Sequence, residues 1–258
     1  MARAVARLVQ LSRSHRLFLY DPLIPSAQAS GEPLLNQPPH VVAVGEVLWD
    51  LFPDGARFGG APANFAHHAA ALGADVWMMT GVGRDDLGKE ALARLESSGL
   101  RLDLVTVDEK HPTGSVQVNL NERGEASYQF GQDEAWDHIE WSSRAAEVAR
   151  SSEAVCFGTL GQRNPQSREL IKRLVRETPQ DSLRVLDLNL RPPFDVPEVI
   201  HSSLKIANVL KINDDELNVL SDLLGLQGIG EVERVEELAQ RSDFVAIALT
   251  LGDRGAVV

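Results

Sequence analysis

The sequence predicts an α/β fold, a mostly parallel sheet flanked by helices, with a small β lid set apart from it. Three observations predict this. Short β-branched apolar runs alternate with segments of helical spacing, first at 41–47 and 64–72. That rhythm implies parallel strands covered on both faces. It breaks once: 115–120 alternates strictly between apolar and polar residues, and 125–130 follows after Asn121-Glu122-Arg123-Gly124. That pattern is a hairpin with one apolar face. The strand–helix rhythm then returns and continues to the last residues.

Taken in order, the first strand covers 41–47. Pro62 suits the first turn of a helix, where its missing N–H costs little, and Gly73 is a stop. A second strand covers 76–82. Leu87, Ala91, Leu92 and Leu95 give 86–97 a helical stripe, closed by Gly99. A strand at 102–107 precedes the hairpin. Strands are expected at 154–157, 184–190, 208–212 and 244–251, and helices at 165–177, 214–224 and 232–240. Residues 1–40 are rich in Arg, Ser and Pro, and are expected to be a disordered extension or to reflect an upstream start, a targeting peptide being a further reading. The folded domain is 41–258, with the lid built from about 113–130 plus the segment near 48–58.

With 25 Lys and Arg against 37 Asp and Glu, the net charge is −12. That argues against nucleic acid and anionic membranes as partners. No apolar run has the ~18 residues of a membrane span. The single cysteine, Cys156, lies in an apolar run and excludes an internal disulfide framework. A cytoplasmic enzyme is the expectation. His67 and His68 are adjacent, point to different sides and make a poor metal pair; no Cys/His cluster has zinc spacing. Gly81-Val82-Gly83 lacks dinucleotide spacing, and Gly88-Lys89 is followed by Glu90 rather than Ser or Thr.

Several residues can carry chemistry. Gly59 and Gly60 let backbone approach a bound molecule, and Asn64 stands at the mouth of a helix beside them. The pair suits a small polyol, or is an ordinary strand-to-helix turn. Asp50 lies just beyond the first strand, where open α/β sheets place ligands; it suits two sugar hydroxyls, or is a solvated loop acid. Asp187, Asn189 and Arg191 are expected on one face of the 184–190 strand, and the fork of Arg191 suits a phosphate. Lys211 suits a phosphate and Glu216 a metal-bound water, while Asn213 is a good helix cap on its own account. Thr250, Gly252 and Gly255 form either a phosphate cradle or a plain hairpin turn.

Together and in this order the segments resemble the ribokinase-like (PfkB) carbohydrate kinases, over roughly 41–258. The run from Gly45 to Pro53 looks most like fructokinases. Gly59-Gly60 with Asn64, Gly81 to Gly88, Thr113-Gly114 with the hairpin, Asp187 to Arg191, Asn213 to Glu216, and Thr250 to Gly255 are similar to the family's landmarks. The resemblance implies ATP-dependent phosphorylation of a sugar hydroxyl, with Mg²⁺. It implies that Asp50, Gly59, Gly60, Asn64 and Arg191 bind the sugar. Lys211, Asn213, Glu216, Thr250, Gly252 and Gly255 are then the ATP residues, Glu216 reaching the metal through water. It also implies a homodimer through the lid.

One departure accompanies it. The family's Gly-Ala-Gly-Asp turn, whose Asp is the base for the sugar hydroxyl, does not occur in these residues. It is expected beyond Val258, so no catalytic residue is assigned here and the chain as given is expected to be inactive or nearly so. A missing base typically costs 10²–10⁴-fold. The same missing segment is expected to leave a sheet face bare, promoting aggregation and weak ATP binding. Two further readings stand beside this one: a non-catalytic sugar-binding or regulatory relative, and a nucleoside kinase of the same fold.

Overall fold

The computed structural model describes residues 37–120 and 126–258. The extension up to residue 36 and the Asn121–Gly124 turn lie outside the described residues. The chain forms two compact units, Pro39–Ser182 and Leu183–Val258.

In Pro39–Ser182 the elements are β1 (His40–Val44), β2 (Leu48–Phe52), β3 (Gly55–Gly59), α1 (Ala61–Ala71), β4 (Asp75–Gly83), α2 (Asp86–Ser97), β5 (Val105–Asp108), β6 (Gly114–Leu120), β7 (Ala126–Phe130), α3 (Ser143–Ser151), β8 (Ala154–Gly158) and α4 (Pro165–Glu177). Strands β8, β1, β4 and β5 pair side by side, all parallel. The apolar runs of β1, β4 and β8 are buried on both faces, as parallel strands sandwiched by helices require. The core packs Val41, Ala43, Val76 and Met78 against Ala63, Ala66 and Ala69 of α1 and Ala91 and Leu95 of α2. A second sheet, ordered β3-β2-β6-β7, joins the two segments expected in the lid.

In Leu183–Val258 the elements are β9 (Leu183–Asp187), α5 (Pro197–Ile206), β10 (Val209–Asn213), α6 (Asp214–Leu224), α7 (Glu231–Gln240), β11 (Ala246–Thr250) and β12 (Ala256–Val257). Strands β9, β10 and β11 are parallel, and β12 is antiparallel to β11. One face of this sheet is buried through Leu186, Leu210, Ile212, Ile247 and Leu249. Its other face, with Val185, Val209, Ala246 and Ala248, is only half-buried.

Three sequence expectations are corrected. The first strand ends at Val44, because Gly45 turns the chain at φ +142 and sends 48–52 into the second sheet. The strand at 102–107 begins only at Val105. The strand expected to reach Leu190 stops at Asp187, and Asn189 adopts the left-handed region at φ +41. Asp187, Asn189 and Arg191 therefore do not alternate along one strand face. Helices α3 and α5 are additions; Ser142, whose hydroxyl accepts from Ala145 N–H, and Pro197 at the start of α5 were their local signals.

Candidate active site

Of the residues assigned to sugar, four lie in Pro39–Ser182. Asp50 sits in β2 opposite Arg57 of β3. Gly59 closes β3, and a methyl group built there would stand 3.1 Å from the Asp50 carboxylate. Gly60 has φ +113, and a Cβ there would lie 2.4 Å from the Glu46 carbonyl oxygen. No other residue type fits both demands. The bare backbone is thus what lets the β3–α1 turn lie against the Gly45-Glu46 turn. Glu46 is fully buried, and its carboxylate accepts the Ala61 N–H at the first turn of α1. It supplies the capping bond that Gly60, without a side chain, does not make. Asn64 lies within the first turns of α1, its N–H donating to Gly60 C=O at 3.0 Å and its side chain exposed. The structure brings Asp50 and Gly59 into contact, with Gly60 and Asn64 on the segment that follows.

The base of the second sheet explains two further landmarks. Asp85 caps α2 through the Gly88 N–H, at 2.7 Å, and accepts both the Thr113 hydroxyl at 2.6 Å and the Thr113 N–H at 2.8 Å. The Gly83 N–H donates to the Thr113 oxygen. Burial works to raise the pKa of Asp85, but the Thr113 and Gly88 bonds outweigh it and hold the carboxyl below 3.8. A single carboxylate thus joins the start of α2 to the entry of β6.

Sequence reasoning missed a buried ionic cluster beside this. The Arg163 guanidinium donates to Asp137 through Nε at 3.0 Å and Nη2 at 2.6 Å, to Glu134 through Nη2 at 3.2 Å, and to Gly131 C=O through Nη1 at 2.9 Å. It stacks 3.8 Å from the Trp136 ring, whose N–H donates to Glu134. Glu134 also accepts the Ser115 N–H at 2.6 Å. Burial pushes the Glu134 carboxyl above its ordinary range, with the Ser115 bond and the Arg163 charge pulling the other way. The one local signal was an acid–aromatic–acid run, Glu134-Ala135-Trp136-Asp137, between two sheets.

The remaining assigned residues lie in Leu183–Val258. Strand register sets Lys211 beside Asp187 and Asn213 beside Thr250, at the carboxyl ends of β9, β10 and β11. Alternation along β10 places Lys211 and Asn213 on the half-buried face. The Lys211 ammonium donates to Asp187 at 3.0 Å. Asn213 and Glu216 cap α6 reciprocally: Asn213 accepts the Glu216 N–H at 2.8 Å, and Glu216 accepts the Asn213 N–H at 2.9 Å. The second Glu216 oxygen accepts the Leu190 N–H at 3.0 Å, which ends β9 and shapes the turn before Arg191. Burial raises the Glu216 pKa, opposed by these two N–H bonds and the Lys211 charge and assisted by Asp187. Arg191 is exposed and donates to the neighbouring Leu190 C=O. Thr250 ends β11. Gly252, at φ +60, opens a short 3₁₀ turn over which a built Cβ meets nothing within 4 Å. Gly255 C=O accepts the Leu251 N–H, closing the hairpin to β12. The segment is a hairpin turn, and its Gly252 face is open.

The model of the pfkB family carbohydrate kinases matches residues 54–258. A fructokinase from Escherichia coli is 27% identical over 241 residues, 84% of this chain and 73% of that protein. An aminoimidazole riboside kinase from Salmonella typhimurium is 27% identical over 192 residues, 70% of this chain and 60% of the relative. Fructokinase from Vibrio cholerae, in its fructose, ADP and calcium ion bound form, superposes with a TM-score of 0.67 at 24% identity, over 85% of this chain and 73% of that one. That likeness is one of fold.

Proposed function

The chain belongs to the pfkB family of carbohydrate kinases, and on that premise we propose that it binds ATP and a sugar, fructose foremost, for transfer of the terminal phosphoryl group to a sugar hydroxyl. The observation that carries this reading is the row at the carboxyl ends of β9–β11. There Asp187–Lys211 and Asn213–Thr250 stand side by side on a face left half-open, the place where parallel sheets receive ligands.

In the transfer, the bond from the γ-phosphorus to its bridging oxygen breaks and a bond to the sugar oxygen forms. The hydroxyl proton passes to a base. Such reactions depend on positioning and on neutralising phosphate charge. Lys211 supplies a cation to the phosphates. The open Gly252 turn, with Thr250 and Gly255, offers backbone to them. Arg191 serves the sugar or the phosphoryl group in flight. Asp50, Gly59, Gly60 and Asn64 hold the sugar hydroxyls.

The residues present fit a nucleotide with Mg²⁺. Glu216 is 4% exposed and each of its oxygens takes a single N–H, so lone pairs remain for a metal-bound water. When bound, Mg²⁺ offsets charge on the phosphates. No residue is assigned the part of the base in this reading. The expected result is therefore binding of fructose and of a non-hydrolysable ATP analogue, with ADP formation at least ~10²-fold below that of a fructokinase.

Calorimetry with both ligands, paired with a coupled ADP assay, tests this; absence of binding by either ligand refutes it, and full turnover refutes the missing base. Similarity to a riboside kinase favours one alternative acceptor, a riboside. Competition between fructose and aminoimidazole riboside separates the two. Pairing of two chains through the edges of the second sheet belongs to the same reading, and sedimentation velocity tests it.

A further inference from the structure

We propose that His111, Asp133 and His138 form a binding site for a divalent transition-metal ion of the zinc class at the base of the second sheet. One donor atom from each lies within 4.8 Å of the other two. The His138 Nε2 stands 2.6 Å from one Asp133 oxygen, and the His111 Nε2 stands 3.7 Å from the other. Both imidazoles are mostly buried, while Asp133 faces solvent and leaves an approach.

The second shell matches the first. The other ring nitrogen of His111, Nδ1, bonds to Asp108 at 2.8 Å. Asp108 is fixed in turn by the Lys110 and His111 N–H groups. A carboxylate behind a ligating histidine sets its tautomer and makes the outward nitrogen a stronger donor. Asp133 reaches the histidines from a left-handed backbone turn at φ +56. Two imidazoles and one carboxylate select zinc, cobalt or nickel over magnesium or calcium, with a fourth position left to water.

The rings stack with centroids 3.6 Å apart and planes 9° from parallel. An ion about 2 Å from each nitrogen must lie near both ring planes, which parallel rings at that spacing do not allow. Loading therefore turns one ring, and His138 is that ring because Asp108 tethers His111. The site joins the two ends of one hairpin. His111 precedes the start of β6 at Gly114, and Asp133 and His138 follow the end of β7 at Phe130. A bound ion cross-links entry and exit of that hairpin.

The test is titration of the 258-residue chain with Co²⁺, read by visible absorption, and with Zn²⁺ in competition with a chromophoric chelator. A single tight equivalent is expected in the micromolar range. His111→Ala, His138→Gln and Asp133→Asn each weaken it at least ~10-fold, and Asp108→Asn weakens it by roughly 10–100-fold. His67→Ala/His68→Ala leaves it unchanged. Imidazole ¹⁵N shifts of the unaltered chain on Zn²⁺ addition provide a readout without variants, with His111 and His138 moving and His40, His67, His68 and His201 still. No binding at ~100 μM Zn²⁺, binding that survives His111→Ala/His138→Gln, or shifts confined to other histidines would overturn the site.

Discussion

Replacing Arg163 by methionine is expected to destabilise the chain by about 4 kcal/mol. Its side chain is 7% exposed, and those of Glu134 and Asp137 are each 2% exposed. The substitution keeps most of the side-chain volume and removes at least five hydrogen bonds, three of them to Asp137. It leaves two carboxylates buried with no cation between them. Removing one partner of a buried ion pair costs roughly 3–5 kcal/mol. Glu134 keeps the Ser115 and Trp136 donors, and Asp137 keeps the Glu134 N–H, which places the cost in the middle of that range. Urea denaturation followed by tryptophan fluorescence measures it, since the Trp136 ring lies directly under the guanidinium. Arg163→Met/Glu134→Gln is expected to recover at least about 1 kcal/mol of the loss by removing one buried charge. A loss below about 1 kcal/mol in the single variant, or a double variant no more stable than the single, would refute the argument that charge pairing holds this cluster together.

Three other outcomes are expected. Lys211→Met weakens ATP-analogue binding ~10–100-fold, the worth of a charge-assisted bond of about 1.5–3 kcal/mol, and leaves fructose binding unchanged in calorimetry; equal losses for both ligands would count against its assignment to phosphate. Gly60→Ala costs roughly 3 kcal/mol of unfolding free energy, measured by urea denaturation, because φ +113 and the Glu46 carbonyl both oppose a Cβ; a neutral variant contradicts the close-approach argument. Asp85 has a depressed folded pKa, so its contribution is present above its unfolded pKa near 3.8 and is lost as pH falls through the folded value. Asp85→Asn keeps a capping side chain and is expected to flatten the loss of stability below about pH 4; an unchanged acid limb in pH-dependent unfolding would contradict that.

The sequence by itself determined what is local. β-branched and apolar runs became strands β1, β4 and β8, because their residues demand burial on both faces. Pro62, Gly73 and Asn213 marked helix ends, because capping acts within three or four residues. The order of the short motifs sufficed for the family. Tertiary structure alone decided what depends on residues far apart in the chain. Strand β9 ends at Asp187 because Glu216 takes the Leu190 N–H from another element, a bond that no periodicity announces. Glu134 and Asp137 are held in the interior by Arg163, a buried partner from a different segment. His111 and His138 show no metal spacing, and only the pairing of β6 with β7 brings their segments together. Propensity and capping follow neighbours in sequence, whereas a buried charge is tolerable only once the fold has delivered its partner.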